Sequence, residues 1–200
     1  MQLIAHSPQF NVVQLQGIAR PPSILKEFLR LRHREWCDIR SWEVKSITGI
    51  ERDSLDEHAS YLILANDTAV LGGCRLLHTD HCRLPVEELL WPHVRIEQPA
   101  VEVSRICIDD ACDARERLHR LFVLVDTLAA YLLGEQFAQT YADIRYPLAL
   151  VLRRMGVVWS TVGSRHTHGT GANEEVFVPV RFDVPKTVMQ LKKRVARARP

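Results

Sequence analysis

Nine residues stand out for the chemistry they could do: Arg32, Trp36, Trp42, Asp53, Asp56, Arg75, Glu102, Ser104 and Arg105. As types, a carboxylate can accept a proton, a guanidinium can grip a carboxylate through paired hydrogen bonds, and an indole face attracts a cation. Taken singly, most have a plainer reading. Arg32 on a helix can be solvent-exposed, Asp53 and Asp56 can cap or solvate a loop, and Trp36 and Trp42 can be core. Glu102 and Arg105 are harder to set aside, because Val101, Val103 and Ile106 around them make an apolar strand. In a regular strand, positions 102 and 105 point to opposite faces. A shared site therefore requires a bulge or a strong twist.

The elements that must hold these residues follow from periodicity. Pro22 suits a first turn and Ser23 a cap, and Ile24, Phe28 and Leu31 fall at helical spacing, which predicts a helix over 22–37. Residues 38–60 are polar and irregular, interrupted by Gly49. Strands over 61–65 and 69–77 flank Asn66-Asp67-Thr68, a hairpin pattern, and residues 100–108 read as a further strand. The apolar stripe Leu118, Leu121, Phe122, Val125, Leu128, Ala129 and Leu132 predicts a helix over 114–133. Strand 139–145, helix 147–155 and strand 157–163 make a β-α-β unit with Gly156 ending the helix, and 175–182 alternates like a final strand. That order predicts an α/β fold, a three-layer α-β-α sandwich with a mixed sheet laid out like that of N-acetyltransferases. No repeat or linker divides the chain, so residues 1–185 are expected to form a single domain, followed by a basic C-terminal tail, 186–200.

Over roughly residues 25–160 the sequence resembles the acyl-homoserine-lactone synthase, or autoinducer synthase, family. Arg32, an aromatic at 36, Trp42, Asp53 and Asp56 keep the family's intervals, Arg75-Leu76-Leu77 matches its R-L-L strand, and Glu102-Val103-Ser104-Arg105 its E-x-S-R strand. Two features depart from the pattern. Trp36 replaces a usual phenylalanine, and His78-Thr79-Asp80-His81 follows where a proline-bearing stretch is normal. Trp91 is a candidate for the family's downstream phenylalanine.

The resemblance implies an enzyme that acylates the amine of S-adenosylmethionine from an acyl thioester. It then closes a lactone as the methionyl carboxylate displaces methylthioadenosine, giving a quorum-sensing signal. A free α-amine has a pKa of about 8, so a base is needed at neutral pH. On this reading Glu102 takes the proton, directly or through water, and Asp53 and Asp56 hold the ammonium or sulfonium. Arg32, Arg75 and Arg105 balance the acids and grip substrate, while Trp36 and Trp42 wall the site. Backbone amides beside Ser104 are candidates for the oxyanion. Ile144 falls where some members carry a threonine associated with 3-oxo acyl chains. An isoleucine offers no hydrogen bond, which implies an unsubstituted, branched or otherwise apolar acyl group. S-adenosylmethionine is a substrate, and no cofactor is expected.

The donor is expected to be acyl carrier protein or acyl-CoA. Residues 109–116 lack the Q/R-x-x-G-x-G/A loop with which N-acetyltransferases cradle a pyrophosphate, which favours the carrier protein. Its acidic surface could meet Arg117, Arg120, Arg153, Arg154 or the tail. Residues 186–200 hold six basic residues and no acid, leaving a net charge of about −4 before them out of +2 overall. Hydrophobic residues at 46% and charged ones at 25% are ordinary for a soluble protein. No stretch is long and apolar enough to span a membrane and the first ten residues lack a secretory pattern, so a cytoplasmic protein is expected. Cys37, Cys74, Cys82, Cys107 and Cys112 are odd in number and widely spaced, which argues against a disulfide framework or a zinc ribbon. No metal is expected either, since His78, Asp80, His81 and Cys82 lack a recognised ligand spacing. Two readings compete with the synthase: another N-acetyltransferase-like, acyl-CoA-dependent amine acyltransferase, or a nonenzymatic module binding through the basic tail. Nucleic acid is not an expected partner of the synthase, and tail deletion separates it from a salt-sensitive nucleic-acid binder.

Overall fold

A computed structural model describes residues 2–6, 11–16, 22–43, 45–90, 95–169 and 171–198, so Trp91 lies outside the described residues. In chain order the elements are β1 (Gln2–His6), β2 (Asn11–Gln16), α1 (Ser23–His33), β3 (Ser60–Ala65), β4 (Val70–His78), β5 (Val101–Ile108) and α2 (Ala114–Gly134). They continue through β6 (Gln139–Arg145), α3 (Tyr146–Met155), β7 (Trp159–Thr161), β8 (His166–His168), β9 (Glu175–Asp183) and α4 (Val184–Ala198). No helix among the described residues is long and apolar enough to cross a membrane.

The β3–β4 hairpin closes as its turn residues require: Asn66 Oδ1 accepts from the amides of Thr68 and Ala69 at 3.0 and 2.8 Å. Around it the sheet runs β1-β2-β3-β4-β5-β6-β9-β7, with β8 also on β9, and every pair is antiparallel except β5–β6. Period-two alternation then assigns the faces. Tyr61, Ile63, Leu77 and Tyr141 face α1, packing with Leu25, Phe28 and Leu29. Leu62, Leu64, Cys74, Leu76, Val101 and Val103 face the other way, toward Leu124 and Leu132 of α2. Ala142, Ile144, Val178 and Val180 continue that second face under Ala149 and Leu152 of α3 and Val188 and Leu191 of α4. The result is the expected α/β class, with α1 on one face of a mixed sheet and α2, α3 and α4 on the other.

Several boundaries differ from the sequence expectation. α1 starts at Ser23 with Pro22 as the capping residue and no side-chain cap bond, so Ser23 is the first helical residue instead of the cap. Its continuation, Arg34–Ile39, is π-helical, reaching into the stretch expected to be irregular. That stretch also contains a 3₁₀ turn, Ser54–Glu57. The strand expected over 157–163 pairs only from Trp159 to Thr161. It does not touch β6, because β9 runs antiparallel between them. α3 ends on Gly156 at φ 107°, a left-handed conformation that a side chain would strain. The basic segment begins inside α4, which buries Thr187, Val188 and Leu191.

One junction matters most for the site. β5 and β6 pair only at Val101↔Thr140 and Glu102↔Tyr141, tied by the Thr140 hydroxyl donating to the Val101 carbonyl at 2.7 Å. Beyond Glu102 no pairing joins the two strands, and a cleft opens between them in the sheet.

Candidate active site

β5 carries an extra residue. Its register against β4 passes from Gly73↔Cys107 to Arg75↔Ser104, two residues against three, and Arg105 sits at φ 53°. This bulge is the irregularity that positions 102 and 105 demand. It shifts the parity of the strand: Glu102 and Ser104 face the α1 side, Arg105 turns to the same side, and Cys107 follows into the α1-side core. Opposite it, glycines keep β4 close. A Cβ at Gly72 would lie 2.7 Å from the Cys107 carbonyl, and one at Gly73 2.9 Å from the Phe28 ring.

Around the bulge, charged side chains answer one another. Arg32 is 0% exposed and donates to Glu51 and to both oxygens of Asp56, at 2.8 and 3.2 Å for the latter. Arg75 donates to Ser104 Oγ at 3.0 Å, to Asp53 at 2.7 and 2.8 Å, and to Asp56 at 3.2 Å. Arg105 reaches Glu43 at 2.8 Å, Glu51 at 3.2 Å and Asp53 at 3.4 Å. Its guanidinium lies 4.6 Å from the Trp36 ring centre. Asp53 and Asp56 also cap: Asp53 Oδ1 accepts from the amides of Leu55 and Asp56, and Asp56 Oδ2 accepts from the Asp53 amide. The loop-capping reading of this pair is realised, and the same carboxylates also hold Arg32, Arg75 and Arg105.

The titrations follow from these contacts. Burial alone would push the Asp56 carboxyl up, but Arg32 and Arg75 hold it well below the usual carboxylate range. Burial likewise opposes the charge on Arg32, and Asp56 and Glu51 more than offset it. Tyr61 donates to Asp56 at 2.8 Å, and burial together with that carboxylate raises its hydroxyl above the ordinary value. Glu102 behaves differently. It is 3% exposed and accepts one backbone bond, from Val86 at 2.8 Å. Burial pushes its carboxyl up to about 7, against the pull of the Val86 amide and Arg75.

The cleft has a volume of about 350 Å³. Ser104 and Arg105 line it, with Trp36 and Trp42 standing edge to face at 5.1 Å. Ile144 lines it too, on the wall shared with the α3-side core. Trp42 packs against Phe177 at 5.3 Å, and Arg40 and Arg145 stack over its ring while both hold Glu175 at 2.9 Å. Of the arginines expected to dock the donor, Arg117 lines the cleft and is exposed. Arg153, also exposed, lies 3.7 Å over Trp159, and Arg154 is exposed. Arg120 is turned inward, with Glu116 at 3.0 Å and Asp109 at 3.8 Å.

The structure adds residues that spacing did not single out. Glu43 and Glu51 complete the network from an irregular loop whose partners lie on α1 and β5. Glu35 lines the cleft with one buried oxygen lacking a hydrogen bond, and burial raises its carboxyl. Asp143 lines the opposite wall, paired at 3.1 Å with His166. The one signal available in sequence was a charge, Asp143, inside an otherwise strand-like run, 139–145.

The model of the autoinducer synthase family matches residues 18–188. An acyl-homoserine-lactone synthase of Aeromonas hydrophila is 25% identical over 170 residues, 78% of this chain and 80% of that protein. Among solved structures, the AHL synthase LasI superposes with a TM-score of 0.79 at 21% identity, covering 91% of this chain and 94% of that one. The CoA-dependent acyl-homoserine lactone synthase BjaI, solved with SAM and isopentyl-CoA, gives a TM-score of 0.73 at 23% identity over 92% of this chain and 89% of its own.

Proposed function

The chain belongs to the autoinducer synthase family, and on that premise we propose that it makes an acyl-homoserine lactone from S-adenosylmethionine and an acyl thioester. The observation that carries the reading is the bulge at Arg105. It gathers Glu102, Ser104 and Arg105 on the face that holds the ion network of Arg32, Asp53, Asp56 and Arg75.

The division of labour follows from charge and burial. S-adenosylmethionine brings an ammonium, a sulfonium and a carboxylate. Asp53 and Asp56 attract the first two, Arg75 and Arg105 the third, and the faces of Trp36 and Trp42 complement the sulfonium. Because Arg32 ties Asp56 and Glu51 together, the network is already ordered before substrate arrives. Glu102, with its carboxyl near 7, is matched to take a proton from an amine of pKa about 8. The amine nitrogen then attacks the thioester carbon. The bulge leaves backbone amides beside Ser104 out of the regular ladder, and these are the candidate donors to the tetrahedral oxyanion. In the second half, a methionyl carboxylate oxygen bonds the carbon next to the sulfonium, and the sulfur leaves with the bonding pair as neutral methylthioadenosine.

The acyl chain takes the apolar part of the cleft, along Val103, Ile106, Leu121, Ile144, Leu148 and Val151. With isoleucine at 144, the preferred chain lacks a 3-oxo group. For the donor, the missing pyrophosphate loop favours a carrier protein approaching Arg117, Arg153 and Arg154, whereas BjaI is described as CoA-dependent. The enzyme consumes S-adenosylmethionine and needs no cofactor. Its substrates are metabolites of the cytoplasm, where the proposal puts it.

The test is mass spectrometry of extracts from cells expressing the protein. A lactone present with the wild-type chain and lost with Glu102→Ala supports the reading. Its absence under every acyl supply, with folded protein that does not bind S-adenosylmethionine, overturns it.

A further inference from the structure

The acyl-transfer half leaves protons to be placed. The ammonium of S-adenosylmethionine carries three and the product amide one. As the N–C bond forms and the C–S bond breaks with its electron pair going to sulfur, one of the two lost protons ends on the departing thiol. The other must reach water. Lactone closure moves none, since a carboxylate replaces a neutral thioether. Glu102 is the proposed first acceptor, yet it is 3% exposed and closed off by Val86.

A second carboxyl stands beside it on the neighbouring strand. Glu102 pairs in register with Tyr141, and Asp143 lies two residues further along β6 on the same face, where the strands have separated. Asp143 lines the cleft together with Ser104 and Arg105, and its charge is felt by Glu102. Its two oxygens are unlike. Oδ2 contacts His166 Nε2 at 3.1 Å, while Oδ1 is buried and lacks a hydrogen-bond partner among the described residues. His166, on the short β8, has 31% of its side chain exposed. A path thus runs from a buried, unmatched oxygen beside the cleft to an imidazole in contact with solvent.

We propose that Asp143 and His166 form a carboxylate–imidazole relay that carries the surplus amine proton from Glu102, behind the Val103–Arg105 wall of the cleft, to water. The inference rests on the synthase reading. Water in the cleft passes the proton from Glu102 to Asp143 Oδ1, and His166 gives it to solvent. Other charges face this pair from every side: His168 on β8, Glu102 and Arg105 on β5, Arg145 on β6, Glu175 on β9, and Arg40 from the π-helical turn. Burial raises the Asp143 carboxyl above the ordinary carboxylate range and the two histidines pull it back, which suits a group that must both accept and release a proton.

Steady-state lactone formation by the purified full chain tests this, with S-adenosylmethionine and an unsubstituted acyl thioester supplied on both CoA and carrier protein. His166→Gln is expected to lower kcat about tenfold or more while KM and calorimetric binding of S-adenosylmethionine stay unchanged. Its rate should then rise with added imidazole, and that of the wild type should not. Asp143→Asn should show the same kcat loss without rescue. Wild-type kcat in His166→Gln overturns the relay, as does a joint loss of kcat and substrate binding that imidazole does not repair. Either result leaves the synthase reading standing, whereas wild-type protein making no lactone removes both.

Discussion

Behind the β4–β5 wall of the cleft, which Arg105 lines, seven charged side chains from α1, the loop after it, β4 and β5 engage one another: Arg32, Glu43, Glu51, Asp53, Asp56, Arg75 and Arg105. On the β6 wall, Ile144 offers only hydrocarbon, and Asp143 keeps an oxygen unpaired. The first wall resists change because Arg32, Glu51, Asp56 and Arg75 are buried against one another, and removal of one strands the others. A change at Ile144 on the second acts through packing and strands no ion. Binding of the polar substrate is thereby separated from the choice of acyl chain and the disposal of the proton.

The largest effect that would test this contrast comes from Arg32→Met. Leaving Glu51 and Asp56 buried without their cation should lower unfolding stability by about 3–5 kcal/mol, read as a fall in the urea midpoint. If the midpoint barely moves, the first wall is not the rigid one.

A smaller effect, of opposite sign, belongs to Glu102. Its folded-state carboxyl is raised to about 7, so the stability it contributes is present below the unfolded carboxylate range and is lost as pH rises through 7. Glu102→Gln should therefore be more stable than wild type at pH 8, by on the order of 3 kcal/mol and read as a higher Tm, with the two converging near pH 4. Activity should fall in the same variant. A Tm difference independent of pH would mean that Glu102 is not held against its charge.

The smallest change concerns the β6 wall. Ile144→Thr places a hydroxyl in the cleft and should raise the ratio of 3-oxo to unsubstituted product about tenfold, equivalent to roughly 1.4 kcal/mol, while the lost core packing lowers unfolding stability by about 1–2 kcal/mol. Competition between the two thioesters in one reaction reads that ratio directly. An unaltered ratio would place acyl selection elsewhere in the cleft.

What the sequence disclosed, and what it did not, follows the range of the interactions. Local signals were readable: the apolar stripe of α2, the Asn66 turn and the Gly156 stop all act within a few residues. The bulge could be demanded from parity alone, because two polar residues three apart on an apolar strand cannot otherwise share a face. Ion partners separated by 54 or 62 positions, as Glu51 and Glu43 are from Arg105, leave no periodic trace. The same holds for His166 and Asp143, which meet only because β8 and β6 both pair with β9. β7 lies inside the strand expected over 157–163 but is shorter for a related reason: its extent is set by where β9 remains free to pair with it, which its own residues do not encode.

The extra residue in β5 sets a rule about length. Replacing a side chain there alters one contact, but deleting any single residue between Ser104 and Cys107 would let β5 rejoin β4 as a flat ladder. Cys107 and Ile108 would keep their partners on β4, but the one residue left opposite Cys74 would turn to the α2 face, and the guanidinium of Arg105 would be lost from beside Glu43, Glu51 and Asp53. This segment can accordingly drift in composition while its residue count stays fixed, and insertions or deletions tolerated elsewhere on the chain should be absent from it.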